Sequence, residues 1–368
     1  MKILHICGSI NQTSQMHQIS KFLPEFEHYF TPYYADGYLE VARKYRMLEF
    51  SILGNKLVHR AMDYLMQHDL NIDYRGDDHD YDLVLTCSDL VVQQNIRNKK
   101  VILVQEGMTD PEGIAYHLVK NLKLPRYMAS TSTTGLSNDY DFFCVASEGY
   151  RRLFIRKGVD PERLLVTGIP NFDNCAELND NDFPHRNYVL VATSDSRETF
   201  KYENRRKFIQ HCLEIAGGRQ VIFKLHPNEN VERAVQEIKE EAPDALVFPD
   251  GNIGHMIANC DVLITRFSSV VYIGMALGKE VYSDFSMDEL RDMVPMQNGG
   301  ASAEHIADIC RRHLLDELPV PVRRRRQEQF IPKRKAVTLP VYARYVRKSL
   351  SARPLIKKMK QKILAANV

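Results

Sequence analysis

Residues 220–229 read Gln-Val-Ile-Phe-Lys-Leu-His-Pro-Asn-Glu. The apolar run 220–225 predicts a buried strand, because β-branched and aromatic side chains pack well on a pleated surface. Pro227 ends this strand, since proline has no N–H for the ladder and restricts the residue before it. A helical pattern follows at 231–241. Strand, turn and helix in this order predict a parallel α/β sheet, with the His226 imidazole at the carboxyl end of a strand.

The same unit recurs along most of the chain. The strands predicted in the first half are 2–10, 28–34, 82–87, 100–105, 142–146 and 164–167. Those predicted in the second half are 188–193, 220–225, 245–248, 261–265 and 280–283. Helical patterns between them include 15–22, 148–157, 205–216, 231–241, 253–259, 270–277 and 303–315. A stretch rich in Asn, Asp and Pro at 171–185 separates the two series and is typical of a linker.

These patterns predict an α/β fold with two Rossmann-like, doubly wound parallel-sheet domains that face a cleft. The expected boundaries are 1–172 for the first domain, 173–186 for the linker and 187–320 for the second domain. A basic helical tail at 321–368 is expected to pack partly on the first domain. Ligands of such sheets bind beyond the carboxyl ends of the strands, so functional residues are expected there.

The composition is that of an ordinary globular protein, with 44% hydrophobic and 26% charged residues among 368. Its seven cysteines are scattered singly and form no Cys-x-x-Cys pair, which argues against a zinc site or a disulfide framework. We therefore expect a reduced, cytoplasmic compartment. The apolar run at the N-terminus is too short for a signal peptide, and no run is long enough to span a bilayer.

The C-terminal tail differs in charge from the rest of the chain. From 323 to 368 it contains 15 Lys and Arg residues and one acidic residue, Glu328, whereas the remainder is acidic. Apolar side chains interleave with the cations, which favours an anionic membrane surface as the partner of Arg323 to Lys362. Packing of the tail on the first domain remains the alternative. Nucleic acid is not expected, because no aromatic-rich binding motif accompanies the charge.

A second signal follows the strand 261–265, where the chain reads Arg-Phe-Ser-Ser at 266–269 before a helix. Helix N-termini bind anions through free N–H groups, and serine hydroxyls add donors. The alternative is that a serine only caps the helix. If the strands before His226 and before Ser268 and Ser269 are neighbours, their ends would hold a diphosphate from two sides. Further candidates at this edge are Thr193, Ser194, Lys224, Pro227 and Arg266, with Ser9 from the first domain.

Three motifs together resemble a known group of enzymes. They are Lys-x-His-Pro, then Ser-Ser-Val with a helix that ends in Ala-Leu-Gly-Lys at 276–279, and Thr-Gly-Ile-Pro-Asn-Phe-Asp at 167–173. They resemble bacterial GT-B glycosyltransferases that build capsule, teichoic acid or lipopolysaccharide, including glycerophosphate, Kdo and sialic acid transferases. The resemblance implies a first domain that binds the acceptor and a second domain that binds the donor. It implies that His226, Ser268 and Ser269 contact the donor.

The resemblance also indicates where the catalytic base lies. Related transferases carry an acid or a histidine before glycine at the end of the strand that corresponds to 100–105, and this chain has Glu106-Gly107 there. We expect Glu106 to take the proton of an acceptor hydroxyl, with Asp110 as the substitute and His226 as a further catalytic candidate. The alternative is that Glu106 only caps the following turn.

The expected function is a metal-independent transfer of a sugar or sugar-like group from a UDP-, CDP- or CMP-linked donor to a glycan or lipid-linked acceptor. No cofactor and no metal are expected, because Asp77, Asp78, His79 and Asp80 precede their strand and are typical of a solvated loop. One alternative is an isomerase similar to UDP-GlcNAc 2-epimerases, which 105–108 and 226–231 resemble. Against it, Arg-Phe-Ser-Ser replaces the Asp-Ser-Gly-Gly of that family. The other alternative is a catalytically silent binding module.

Overall fold

The computed structural model describes residues 1–45, 47–48, 52–194, 196–198 and 203–320. These residues belong to one compact unit. The basic tail that the sequence predicts at 321–368 lies outside the described residues. No described helix combines the length and the apolar character that a membrane span needs.

The first half forms a six-stranded parallel sheet in the order β2-β1-β3-β4-β5-β6. Its strands are β1 (Lys2–Cys7), β2 (Glu27–Pro32), β3 (Leu83–Thr86), β4 (Lys100–Val104), β5 (Phe142–Val145) and β6 (Leu164–Val166). The second half forms a five-stranded parallel sheet in the order β11-β10-β7-β8-β9. Its strands are β7 (Val189–Ala192), β8 (Val221–Lys224), β9 (Leu246–Phe248), β10 (Val262–Thr265) and β11 (Glu280–Tyr282).

Eleven α-helices of the described residues cover the two sheets. In the first half they are α1 (Ile10–Ser20), α2 (Gly37–Lys44), α3 (Asn55–Gln67), α4 (Ile114–Leu122) and α5 (Glu148–Lys157). In the second half they are α6 (Arg205–Ala216), α7 (Val231–Glu241), α8 (Ile253–Asn259), α9 (Val270–Ala276), α10 (Met287–Met293) and α11 (Ser302–Leu314). The predicted fold class of two doubly wound parallel sheets is confirmed, and each of the eleven predicted strands overlaps an observed one.

The first predicted strand is too long. The sequence predicts 2–10, but β1 ends at Cys7 and α1 begins at Ile10. Ser9 causes the early change, because its side-chain oxygen accepts a hydrogen bond from Gln12 N at 3.2 Å and so caps the helix. The polar loop after the first strand is therefore short, and it brings the beginning of α1 to the carboxyl edge of the sheet.

The last described helix, α11, packs on the first sheet although it follows the second in sequence. Its apolar residues Ala303, Ile306 and Cys310 join the core beneath β1, β3 and β4. The chain returns beside the start of the linker, where Asp173 Oδ2 accepts from Ser302 N at 2.7 Å. The predicted second domain, 187–320, therefore contains a helix that packs in the core of the first sheet.

Candidate functional site

At the carboxyl edge of the first sheet, two neutral donors hold the Glu106 carboxylate. Ser9 Oγ donates to Glu106 Oε1 at 2.5 Å, and Gln12 Nε2 donates to Glu106 Oε2 at 2.6 Å. Glu106 follows β4 and is half-buried, whereas Gln12 on α1 is 4% exposed. A carboxylate oxygen has about two lone pairs, so each oxygen retains one that can accept a proton from a substrate.

The backbone around Glu106 is fixed by a set of buried amides. Gln105 Oε1 accepts from Ala146 N at 2.9 Å, and Gln105 Nε2 donates to Gly107 O at 2.7 Å. Gln15 Nε2 donates to Gln105 O at 2.9 Å. Gly8 contributes by having no side chain, because a Cβ at this position would overlap with Gln12 Oε1. Glu106 therefore sits on a rigid support that reaches from β1 to β5.

Two cysteines lie behind this edge, at the ends of β1 and β3. Burial raises the pKa of the Cys7 thiol, and burial together with the Glu106 carboxylate raises the pKa of the Cys87 thiol well above its usual value. A thiol acts as a nucleophile only when it is ionised. Both cysteines are therefore core residues.

Asp110, the predicted substitute for Glu106, is occupied in a different local arrangement. Its Oδ2 accepts from Thr131 Oγ1 at 2.9 Å, and its backbone N donates to the same hydroxyl oxygen at 2.9 Å. Burial lowers the pKa of Lys157, and the nearby Asp110 carboxylate offsets part of this lowering. These contacts tie Asp110 to the 3₁₀ segment Arg126–Thr133 and not to Ser9 or Gln12.

At the carboxyl edge of the second sheet, the buried Glu229 fixes the turn that carries His226. His226 N donates to Glu229 Oε2 at 2.9 Å and to Thr193 Oγ1 at 3.1 Å. The imidazole Nδ1 faces Asn228 N at 3.3 Å. With Nδ1 as the acceptor, the neutral ring carries its proton on Nε2, which makes Nε2 a donor. Pro227 is exposed beside it.

A chain of buried ion pairs continues from Glu229 across this edge. Arg205 pairs with Glu229 and, through Nε, with Glu203 Oε1 at 2.7 Å. Glu203 Oε2 lies 3.6 Å from Arg266 Nη1 and accepts from Ser194 Oγ at 3.1 Å. The chain therefore links the ends of β7, β8 and β10 through side chains that sequence patterns did not single out.

Both predicted cations at this edge already have partners. Lys224 is 7% exposed and its Nζ donates to Leu225 O at 2.8 Å and to Pro249 O at 2.9 Å. Burial lowers the pKa of Lys224. Arg266 Nε donates to Asp284 Oδ2 at 2.7 Å, so its positive charge is opposed by two carboxylates. The ammonium of Lys224 therefore stabilises the loop after β9.

The expectation that the strands before His226 and before Ser268 are neighbours is wrong. β7 lies between β8 and β10, and the register pairs Thr265 with Ala192 and Ala192 with Lys224. Three strand ends therefore form one level edge, and His226 and Ser268 follow strands about 10 Å apart. The strand order reverses between β7 and β10, which is where ligands bind in such sheets.

Several polar groups at this edge form no side-chain hydrogen bond within the described residues. Neither the Thr265 hydroxyl, at the end of β10, nor Arg205 Nη1 has a hydrogen-bond partner there, although both atoms are buried. Ser269 precedes α9 without forming a side-chain cap bond. Buried polar groups are nearly always paired in proteins, so unpaired ones mark a place for water or a ligand.

The two edges face each other through Gly107 and Ser269. A Cβ at Gly107 would lie 3.7 Å from Ser269 Cβ and 3.4 Å from a ring carbon of Phe172. Behind this contact, Tyr150 OH of α5 and Tyr272 OH of α9 are 2.8 Å apart and buried. The structure therefore brings Ser9, Glu106 and Ser269 together, and it places Thr193, Ser194, His226, Arg266 and Ser268 along the opposite edge. Within the described residues, no group of three or more His, Cys, Asp or Glu side chains has metal-binding geometry.

Comparisons with known proteins identify relatives in fold. No family model matches the sequence. No curated protein has a similar sequence. The UDP-GlcNAc 2-epimerase from Neisseria meningitidis, solved with UDP-GlcNAc, has a TM-score of 0.55 and 13% identity, over 85% of this chain and all of its own (100%). The enzyme of the same name from Methanocaldococcus jannaschii, solved with UDP-GlcNAc and UDP, has a TM-score of 0.51 and 12% identity, over 84% of this chain and 99% of its own.

The wall teichoic acid polymerase TagF gives a TM-score of 0.47 with 11% identity, over 86% of this chain and 89% of its own. At 12–13% identity, the likeness to the two epimerases shows a shared fold. The chain therefore has the two-sheet GT-B architecture that the sequence predicts, and its chemistry has to be argued from its own residues.

Proposed function

We propose that this chain transfers a sugar or sugar-like group from a nucleotide-activated donor to an acceptor hydroxyl. One observation carries the proposal: a carboxylate held by Ser9 and Gln12 at one sheet edge lies beside Gly107, where a side-chain carbon would come within 3.7 Å of Ser269 Cβ at the other edge. A base that faces an array of hydroxyl and N–H donors is the arrangement that group transfer to an alcohol needs.

In this proposal Glu106 is the general base. The acceptor hydroxyl passes its proton to a Glu106 oxygen, and its own oxygen forms a bond to the donor carbon. The bond between that carbon and the phosphate oxygen breaks, and the electron pair leaves with the nucleotide. Ser9 and Gln12 hold the carboxylate in place, because each of its oxygens accepts a hydrogen bond from one of them.

The second edge holds the donor phosphates in this proposal. His226 Nε2, Ser268 and Ser269 supply donors, the unpaired Thr265 hydroxyl and Arg205 Nη1 lie at the same edge, and the Ser194 hydroxyl is bonded to Glu203 beside them. The departing phosphate is stabilised by these fixed donors and by Arg266, without a metal ion. The guanidinium of Arg266 has five donors, so its pairing with Asp284 leaves others for a phosphate.

Two further features support this reaction class. Two structures that share the fold were solved with UDP-GlcNAc, one of them also with UDP, which fits a nucleotide site in this chain as well. The basic tail at 323–368 suits a lipid-linked acceptor on the cytoplasmic side of an anionic membrane. We therefore propose a role in the synthesis of a cell-surface polysaccharide.

The test is donor turnover by the full chain without acceptor. UDP-GlcNAc, CDP-glycerol and a CMP-linked sugar are incubated separately, and the products are identified by chromatography and NMR. We expect slow hydrolysis of one donor, and Asp110→Asn should retain it because Asp110 is tied to Thr131. Inversion at C2 of UDP-GlcNAc would instead identify an epimerase. Binding of a nucleotide without turnover of any donor would identify a silent module and contradict the proposal.

A further inference from the structure

Helix α4 exposes apolar side chains on the face that points away from the core. Tyr116 and Val119 are buried and hold the helix on the body of the protein. Ile114, Leu118 and Leu122, spaced four residues apart, are 82%, 48% and 63% exposed. Such a continuous apolar stripe on a surface marks an interaction site.

Helix α2 presents a second stripe of the same kind. Tyr38, Val41 and Tyr45, spaced three and four residues apart, are 68%, 52% and 77% exposed. Tyr38 OH lies 3.3 Å from the OH of Tyr127, which belongs to the 3₁₀ segment that follows α4. This contact links α2 to the segment after α4, so we treat the six side chains of the two stripes as one apolar surface.

The charges around the apolar surface have one sign along a long stretch of chain. Between 113 and 138 the sequence contains Lys120, Lys123 and Arg126 and no Asp or Glu. Lys123 is exposed at the end of α4 and Lys44 at the end of α2, whereas the Lys120 ammonium donates to Tyr116 OH and Lys157 O, each at 3.2 Å, and so points to the body of the protein. Acidic residues begin only at Glu112, before α4. A partner of this surface therefore has to be both apolar and anionic.

We propose that the apolar surface of α2 and α4 docks on an anionic lipid bilayer. Aliphatic side chains would enter the boundary of the acyl chains, tyrosines would lie at the level of the headgroups, and lysines would contact anionic phosphates. A second copy of the chain fits less well. A two-fold contact would bring the lysines of both copies, Lys44 and Lys123 in each, into one interface without acidic residues from 113–138 to oppose them.

This surface lies on the side of the first sheet that carries Glu106. Helix α4 begins eight residues after Glu106, at the carboxyl end of β4, and α2 follows the carboxyl end of β2. A bilayer on the apolar surface would therefore lie near the edge that holds the base. The proposal goes beyond the proposed reaction and does not depend on it, because vesicle binding requires no turnover.

The experiment is co-sedimentation of the full chain with vesicles of phosphatidylcholine plus phosphatidylglycerol, and with vesicles of phosphatidylcholine alone. The triple variant Ile114→Ser, Leu118→Ser, Leu122→Ser should bind anionic vesicles about tenfold more weakly or worse, since it loses the apolar contacts. Val231→Ser and Leu315→Ser, at exposed apolar positions elsewhere, should bind as the wild type does. Every protein retains the basic tail, so the tail contributes equally.

Lys44→Gln with Lys123→Gln is the second variant and removes charge without changing the stripes. It should weaken binding to anionic vesicles and leave the weak binding to neutral vesicles unchanged. Wild-type binding that both variants retain would overturn the proposal, as would a wild type that binds neither vesicle. A dimer in light scattering that the triple variant dissociates would assign the surface to a second copy instead.

Discussion

The carboxyl edges of the two sheets hold acidic side chains in different ways. At the first edge, Glu106 is held by the neutral donors Ser9 and Gln12. At the second edge, Glu229 and Glu203 are held by the buried cation Arg205. A carboxylate with neutral partners has no cation beside it, so its charge can still act on a proton or a substrate. A chain of ion pairs instead fixes neighbouring strand ends. This difference fits the proposed function, in which the first edge transfers a proton and the second binds the donor.

The largest expected effect comes from breaking the ion-pair chain. Arg205→Ala would leave Glu203 and Glu229 buried without their shared cation, since their side chains are 1% and 0% exposed. We expect the free energy of unfolding to fall by about 3–5 kcal/mol. Urea denaturation followed by circular dichroism measures this change.

Arg206→Ala is the matched control one residue further on. Arg206 is 74% exposed and pairs with Glu241 at 2.7 Å, so its loss should change the free energy of unfolding by about 0–1 kcal/mol. Equal effects of the two substitutions would show that the buried chain does not stabilise the second edge.

A smaller effect is expected from the neutral support of Glu106. Gln12→Ala should lower kcat about tenfold and leave KM for the donor nearly unchanged, because the base loses one of its two positioning contacts. Gln12→Glu should also move the acidic limb of the pH–rate profile to higher pH, because a neighbouring carboxylate disfavours ionisation. Gln18→Ala, on the same helix, is the control. Unchanged kcat and an unchanged pH profile in both Gln12 variants would remove Gln12 from the site.

The smallest effect concerns a buried cation away from both edges. The Lys157 ammonium donates to Ser132 O at 2.9 Å, and burial lowers the pKa of Lys157 to about 8. In the unfolded chain the lysine titrates near 10.4, so the unfolded state binds more protons between these values. The stability of the wild type should therefore rise relative to Lys157→Met from about pH 8 to about pH 10. Thermal unfolding of both proteins across this range measures the difference, and a constant difference would contradict the prediction.

The strands were predictable because their physics is local. Runs such as 142–146 and 261–265 are apolar and β-branched or aromatic, and strands buried on both faces of parallel sheets read this way. Glu106 and His226 were also predictable, since each follows such a run directly. The predicted Rossmann-like fold class also implies the order of the second sheet, in which its first strand, β7, lies between β8 and β10, so the expectation that β8 and β10 are neighbours conflicted with the predicted fold.

The residues that position the site could not be predicted, for a different reason. Arg205 and Glu229 are separated by 24 residues and look like ordinary helix and loop charges, and only the fold buries them together. Gln12 falls in the polar first turn of α1, where no pattern distinguishes a positioning amide from a solvated one. Helices α2 and α4 were not among the helices that the sequence analysis named.

The central claim is that Glu106 at the first edge takes the proton of an acceptor hydroxyl, which attacks a donor held at the second edge. Glu106→Gln tests it most directly, because the substitution removes the charge and nearly preserves the shape. In the full chain, the nucleotide that the wild type binds among UDP, CDP and CMP should bind within about threefold of wild-type affinity by calorimetry, while transfer should fall by about 10² to 10⁴. Transfer at the wild-type rate, or loss of nucleotide binding together with transfer, would contradict the account.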